Sequence, residues 1–121
     1  MNIGRLGEEA AYKYLVKNGY QIIGRNITFR WAEIDIIAQK DNTIFFIEVK
    51  SRQSERAGKP YEAITKHKLN HLSRSISLYI KLNKIHHSKL SFDIITVNFD
   101  RNLNITKIEH YQNFPLEIKY V

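Results

Sequence analysis

From Ile3 to Asn18 apolar side chains return at helical spacing: Leu6, Ala10, Ala11 and Tyr14 fall on one broad face, and "NGY" supplies the stop. Glu8 and Glu9 lie in the early turns of this helix, where negative charge suits the helix dipole, and that role alone accounts for both. Beyond Gly19 the period shortens. "YQIIGRNITF", "AEIDIIAQ" and "TIFFIEVKS" read as three successive strands, and "KDN" between the last two is a turn of the kind that joins antiparallel neighbours. "RQSERAGK" is polar, charged and glycine-containing, so it reads as a loop. Pro60 suits the first turn of a second helix, expected from about Pro60 to Asn83, with Tyr61, Ile64, Leu72, Ile76 and Tyr79 on its buried stripe. Lys68 interrupts that stripe. After a turn around "KIHHSK", "LSFDIITVNF" and "ITKIEHYQ" read as two more strands joined through "DRNLN". The fold class is therefore α/β: a helix, a three-stranded meander, a long helix and two further strands around a central mixed sheet.

No repeat, low-complexity segment or proline- and glycine-rich linker divides the chain, so residues 1–121 are expected to form a single domain. With 43% apolar and 26% charged residues the composition is that of an ordinary soluble protein. No apolar run reaches the length of a membrane span, and "MNIGRLGEEAAYKYL" carries acidic helical patterning in place of a secretory segment; the expectation is a cytoplasmic chain with no membrane partner. The formal charge of +7 favours a polyanionic partner such as nucleic acid, although charge alone speaks to steering more than to function. The absence of cysteine excludes a thiolate nucleophile, a disulfide framework and a cysteine zinc site. Catalysis would have to use carboxylates, amines, hydroxyls or imidazoles.

The third strand contains such groups. Alternation puts Glu48 and Lys50 on one face with Ile44 and Phe46, and Phe45, Ile47 and Val49 on the other. The two charged side chains leave the backbone about 7 Å apart, close enough to converge on one ligand. In the preceding strand Glu33, Asp35 and Ile37 share a face opposite Ile34 and Ile36, and pairing through "KDN" brings Asp35 near Glu48. Two neighbouring carboxylates repel unless a cation lies between them, and hard divalent cations such as Mg²⁺ favour carboxylate and water oxygens. Such an ion acidifies and orients a water and neutralises phosphate charge, and a nearby lysine can hold that water or stabilise the transition state. Standing alone, "EVK" serves equally well as an ion pair at a solvated edge. An Asp some dozen residues before Glu-x-Lys, on consecutive strands after an acidic helix and before a basic one, carries more.

"GRLGEEAA", "EID", "FIEVKSR", "PYEAITKHK" and "FDII" follow one another in an order that resembles the YraN-like family, small bacterial proteins with a PD-(D/E)XK, restriction-endonuclease-like nuclease fold similar in layout to archaeal Holliday-junction resolvases. The resemblance runs from Gly4 to about Phe114. It implies that Asp35 is the central metal-binding aspartate, Glu48 the second acidic ligand, Lys50 the catalytic lysine and the Val49 carbonyl a further ligand. Glu8 matches the helix glutamate that completes the shell or supports a second ion. Mg²⁺ or Mn²⁺ is the implied cofactor. Ile34 stands where the family motif has proline, a common departure. For Lys68 two readings stand: a stem that packs while its head snorkels to water, or a head that reaches the scissile phosphate or a carboxylate, which the resemblance favours and which would make it catalytic.

Glu33 is either a further site carboxylate or a salt-bridge partner, the latter being preferred, and Asp93 reads as a capping or buried structural acid. His86 and His87 are neighbours that point apart, which suits a turn surface better than a metal. Arg25, Arg30 and Trp31 in "RNITFRW" could contact phosphates and unpaired bases, with Phe29 assigned to the core and Trp31 left open. Arg52, Arg56, Lys59, Lys66 and Arg74 could form a basic rim around the site, against the plainer reading of a solvated surface. Three functions remain: a metal-dependent endonuclease on structured DNA, a nucleic-acid-binding module that does not cleave by itself, and an assembly protein. Size and substrate symmetry add a possible homodimer.

Overall fold

A computed structural model describes residues 2–53, 64–85 and 88–117. Arg56, Lys59, Pro60, Tyr61, His86 and His87 lie outside these residues. The elements are α1 (Ile3–Lys17), β1 (Gln21–Thr28), β2 (Glu33–Lys40), β3 (Thr43–Arg52), α2 (Lys66–Leu82), β4 (Lys89–Phe99) and β5 (Ile105–Tyr111). The five strands form one mixed sheet in the order β1-β2-β3-β4-β5, with β3 and β4 parallel and the other pairs antiparallel. The expected α/β layout is observed. A parallel pair needs a crossover, and α2 lies in the one between β3 and β4.

The helices cover opposite faces. Ala11 and Leu15 of α1 pack on Ile36, Ala38, Ile47, Val49, Ile95 and Val97. Leu72, Ile76 and Ile80 of α2 pack on Ile37, Ile44, Phe46, Phe92 and Ile94. Central strands sandwiched in this way are apolar on both sides, which is why "FFIEV" reads as a continuous run interrupted by Glu48. Asp41 and Asn42 both adopt positive φ, 49° and 61°, which suits the tight hairpin expected of "KDN". Gly19, with φ 88°, follows the Asn18 cap and ends α1. Gly7 permits a close approach: a Cβ there would overlap Ser51 Oγ, so α1 rests directly on the end of β3.

The first turn of α1 holds no acidic residue; Asn2 caps it, accepting from Gly4 N at 2.9 Å, and Glu8 and Glu9 lie beyond the reach of the dipole. α2 begins at Lys66, not near Pro60, because Thr65 is extended and its hydroxyl accepts from Lys68 N at 3.1 Å. Ile64 is buried on the α2 side from the segment before the helix, so it is not part of a helical stripe. Ile34 also packs on the α2 side, together with Ile37, where strict alternation places it with Ile36. Asn26, which lies opposite Asp35 between the pairs Arg25↔Ile36 and Ile27↔Ile34, takes φ 50°, so the ladder is irregular at the step where the alternation of β2 breaks. Among the described residues no helix is long and apolar enough to cross a membrane.

Candidate functional site

The β2–β3 ladder runs from Lys40↔Thr43 to Ile36↔Ile47 and stops there. One step further the Asp35 side chain takes over, its Oδ2 accepting from Val49 N at 2.8 Å. This bond ties the aspartate to the strand that carries Glu48. Glu48 is 6% exposed and points to the α2 side, where Lys68 Nζ donates to its Oε1 at 2.8 Å. Lys50 Nζ lies 3.9 Å from the same oxygen. The close ion pair of Glu48 is thus made with Lys68 from the helix, while Lys50, the partner suggested by the strand pattern, stands further off. Lys68 neither snorkels nor packs along the stripe; the Thr65 cap sets the first turn of α2 so that its ammonium crosses to the sheet. A cavity of about 350 Å³ opens here, lined by Trp31, Ala32, Glu33, Asp35, Glu48, His67, Lys68 and His71.

The charges are unevenly matched. Burial, then the Glu48 charge, and then Glu8 and Glu33 push the Asp35 carboxyl up from 3.8 to about 7, and only the Val49 N–H opposes them. Burial, followed by the hydrogen bond and charge of Lys68, lowers the pKa of Lys50. Burial also works against the Lys68 ammonium, but the hydrogen bond and charge of Glu48 outweigh it and raise its pKa. Glu8 is raised by burial and then by Glu33. Its partner is Asn26, whose amide, oriented to satisfy both groups, donates to Glu8 Oε1 at 2.5 Å and Glu33 Oε1 at 3.1 Å. Glu33 lines the cavity and bonds to this amide, and it makes no salt bridge among the described residues, contrary to the expectation from sequence. Asp35 and Glu48 present oxygen donors of the type hard divalent cations take, from two strands already joined by a hydrogen bond. Among the described residues no three Asp, Glu or His side chains stand together at ligating spacing. An ion would rest on these two carboxylates, backbone oxygen and water.

A model of a family described as "Uncharacterised protein family UPF0102" matches residues 7–97, a span that contains Glu8, Asp35, Glu48, Lys50 and Lys68. The chain belongs to the UPF0102 family. It is 39% identical over 111 residues to a UPF0102 protein of Syntrophomonas wolfei, covering 92% of this chain and 95% of the relative. It is 42% identical over 98 residues to one of Clostridium perfringens, covering 81% and 80%. It is 42% identical over 95 residues to one of Symbiobacterium thermophilum, covering 78% and 80%. UPF0102 and the YraN-like family suggested by the motifs are one family.

The remaining candidates of this UPF0102 chain separate by location. Arg25 is engaged on the α1 side, 3.0 Å from Glu9 and 4.4 Å over the Tyr12 ring. Arg52 donates through Nε to Asn98 Oδ1 at 3.4 Å. Arg30 is exposed. Phe29 packs in the α2-side core against Tyr79. Trp31 lines the cavity, its carbonyl facing His71 Nδ1 at 3.1 Å and its ring lying 4.4 Å below the Arg74 guanidinium. Asp93 is fully buried and hydrogen-bonded to Ser91, His110 and Asn113 on the other face. Sequence reasoning passed over His67 and His71, which line the cavity with ring centroids 4.1 Å apart. Their signal was available: they are four residues apart on a helix and bracket Lys68.

Proposed function

We propose that this UPF0102 protein is a metal-dependent endonuclease that hydrolyses phosphodiester bonds in nucleic acid, with structured DNA as the substrate class and Mg²⁺ or Mn²⁺ as cofactor. The observation that carries the reading is the convergence of Asp35 and Glu48 from adjacent strands at one cavity, with Lys50 and Lys68 both aimed at Glu48 Oε1. A permanent scaffold would pair its acids; here Asp35 makes no ion pair among the described residues, feels Lys50 and Lys68 only through space and has Glu48, Glu8 and Glu33 around it.

Asp35 and Glu48 would hold the ion, with the Val49 carbonyl as a further donor and Glu8 able to support the shell from α1. When bound, a divalent cation lowers the pKa of a coordinated water and neutralises charge on the phosphate. Lys68 pairs with the buried Glu48 side chain in the resting protein. Lys50 is the freer ammonium: its lowered pKa eases its exchange of a proton with the attacking water, and its charge stabilises the extra negative charge on phosphorus oxygens. Arg30, Trp31 and Arg52 lie on elements around the same end of the sheet and supply contacts to the rest of the substrate, with Lys59 assigned to that rim from sequence alone. The net charge of +7 draws a polyanion to an acidic centre that would otherwise repel it. A homodimer, formed through the open edge of β1 or β5, would give two-strand cleavage its two sites. A soluble, cytoplasmic location follows from this reading.

A second reading, a nucleic-acid-binding module that does not cleave alone, is favoured by the lack of a third acidic ligand among the described residues. A panel of junction, flap, duplex and single-stranded substrates with Mg²⁺ or Mn²⁺ separates the two. Wild-type protein is expected to cleave at least one substrate, and Lys50→Ala and Glu48→Gln to lower the rate by about a hundredfold or more. Cleavage that survives both substitutions contradicts the site; binding without any cleavage selects the second reading.

A further inference from the structure

Trp31 belongs to two concavities at once. On one side it lines the Asp35–Glu48 cavity; on the other it lines a larger groove of about 720 Å³ between the exposed side of α2 and the segment Pro115–Glu117. The chain's single tryptophan therefore forms the sill between them. Lys66, Asn70, Arg74 and Ser77 stand along the α2 wall of the groove at one-turn spacing, and Lys66, Asn70 and Arg74 are exposed. Its only acidic lining side chain among the described residues is Glu117. The Arg74 guanidinium is already stacked on the indole at 4.4 Å, so a π surface and a fixed cation are presented together.

We infer that this groove receives an unpaired nucleic-acid strand, with a base stacked at Trp31 and its phosphates led along Lys66 and Arg74. The chemistry selects that occupant. A duplex keeps its bases inside the stack and offers an indole nothing to stack on, whereas a single strand combines exposed π faces with a charged backbone. The positive wall matches the backbone, Asn70 and Ser77 add neutral donors to phosphate oxygens, and continuity through Trp31 delivers the strand to Asp35 and Glu48. The inference rests on the nucleic-acid reading above and narrows it to substrates with an unpaired strand beside the reacting phosphate, such as flaps, splayed arms and open junctions.

Because Trp31 is the sole tryptophan, its own fluorescence reports stacking without any cleavage. Titration of the full chain with a short oligothymidylate in Mg²⁺ is expected to quench it saturably, while a blunt duplex of equal length leaves it unchanged. Followed by anisotropy of a labelled oligothymidylate, Trp31→Ala weakens binding by about tenfold to a hundredfold and Trp31→Phe by about threefold or less. Lys66→Glu with Arg74→Glu, both on the surface, weakens it at least about tenfold and flattens its salt dependence. Equal binding by wild type, Trp31→Ala and Lys66→Glu/Arg74→Glu would overturn the inference, as would quenching by duplex or by polyglutamate as strong as that by oligothymidylate. Saturable quenching with no cleavage of any substrate leaves the groove standing and removes the hydrolase. Cleavage of flap substrates at wild-type rates by Trp31→Ala and by Lys66→Glu/Arg74→Glu does the reverse.

Discussion

Two aspartates, Asp93 fully buried and Asp35 half-buried, lie on opposite faces of the sheet and are treated in opposite ways. Asp93, with no solvent exposure, accepts from Ser91 Oγ at 2.5 Å and Asn113 N at 3.1 Å through Oδ1, and faces His110 Nε2 at 2.6 Å through Oδ2. The other nitrogen of that imidazole meets the Tyr14 hydroxyl at 3.0 Å, so the chain of partners is complete from β4 to α1. Asp35 has one backbone N–H and three like charges within electrostatic reach, and it shares with the neighbouring Glu48 the charge of two lysines from different elements, Lys50 and Lys68. Burial alone does not mark a functional acid. A satisfied carboxylate holds its surroundings in place, and an unsatisfied one at a cavity is ready to take a ligand.

The largest test of this contrast is Asp93→Ala. It leaves a buried imidazole, a hydroxyl and a backbone N–H without their acceptor, and is expected to lower stability by about 3–5 kcal/mol in urea unfolding. A loss below about 1 kcal/mol would show that the Asp93 network is not structural.

Asp35→Asn should act in the other direction. The native carboxyl titrates near 7 and the unfolded one at 3.8, so the native state holds a proton that the unfolded chain has released across that interval. Stability conferred by this group is complete below pH 3.8, falls as pH rises and is gone above about 7. The amide cannot ionise and has no such slope. In metal-free buffer Asp35→Asn is therefore expected to exceed wild type by about 1–3 kcal/mol at pH 8 and to match it near pH 4, as followed by thermal unfolding across pH. A variant less stable than wild type at pH 8 would place Asp35 among the structural acids with Asp93.

The smallest effect sharpens the picture of Glu48. Lys68 is partly exposed, so Lys68→Ala is expected to cost less than about 1 kcal/mol, with Lys50 moving onto the freed oxygen. Lysine chemical shifts report the move as a rise in the pKa of Lys50, and an unchanged Lys50 pKa would mean that the two ammonium groups are independent.

Most of this fold can be read from the sequence, because period-two alternation, "KDN" and "DRNLN" each have a local physical cause. The five strands lie where that alternation puts them, within a residue or two at their ends. The sequence signal weakens where the cause is not local. The start of α2 is set by the Thr65 hydroxyl capping Lys68 N and not by the first-turn preference of Pro60, a bond that the hydrophobic pattern does not mark. Neither the positive φ of Asn26 nor the packing of Ile34 on the α2 side has a mark in the hydrophobic pattern. Asp35, Glu48 and Lys50 could be brought together from strand pairing alone. That Lys68, and not Lys50, closes on Glu48 depends on how α2 seats over the sheet, and the bond between Asp93 and His110 depends on the register of β4 with β5.

The central claim is that Asp35 and Glu48 form a cation site, and direct titration of Mn²⁺ into the metal-free protein tests it with no assumption about substrate. Wild type is expected to bind with an affinity at least about tenfold above that of Asp35→Asn and of Glu48→Gln, a difference of about 1.4 kcal/mol or more. Equal affinities in all three proteins would contradict the site.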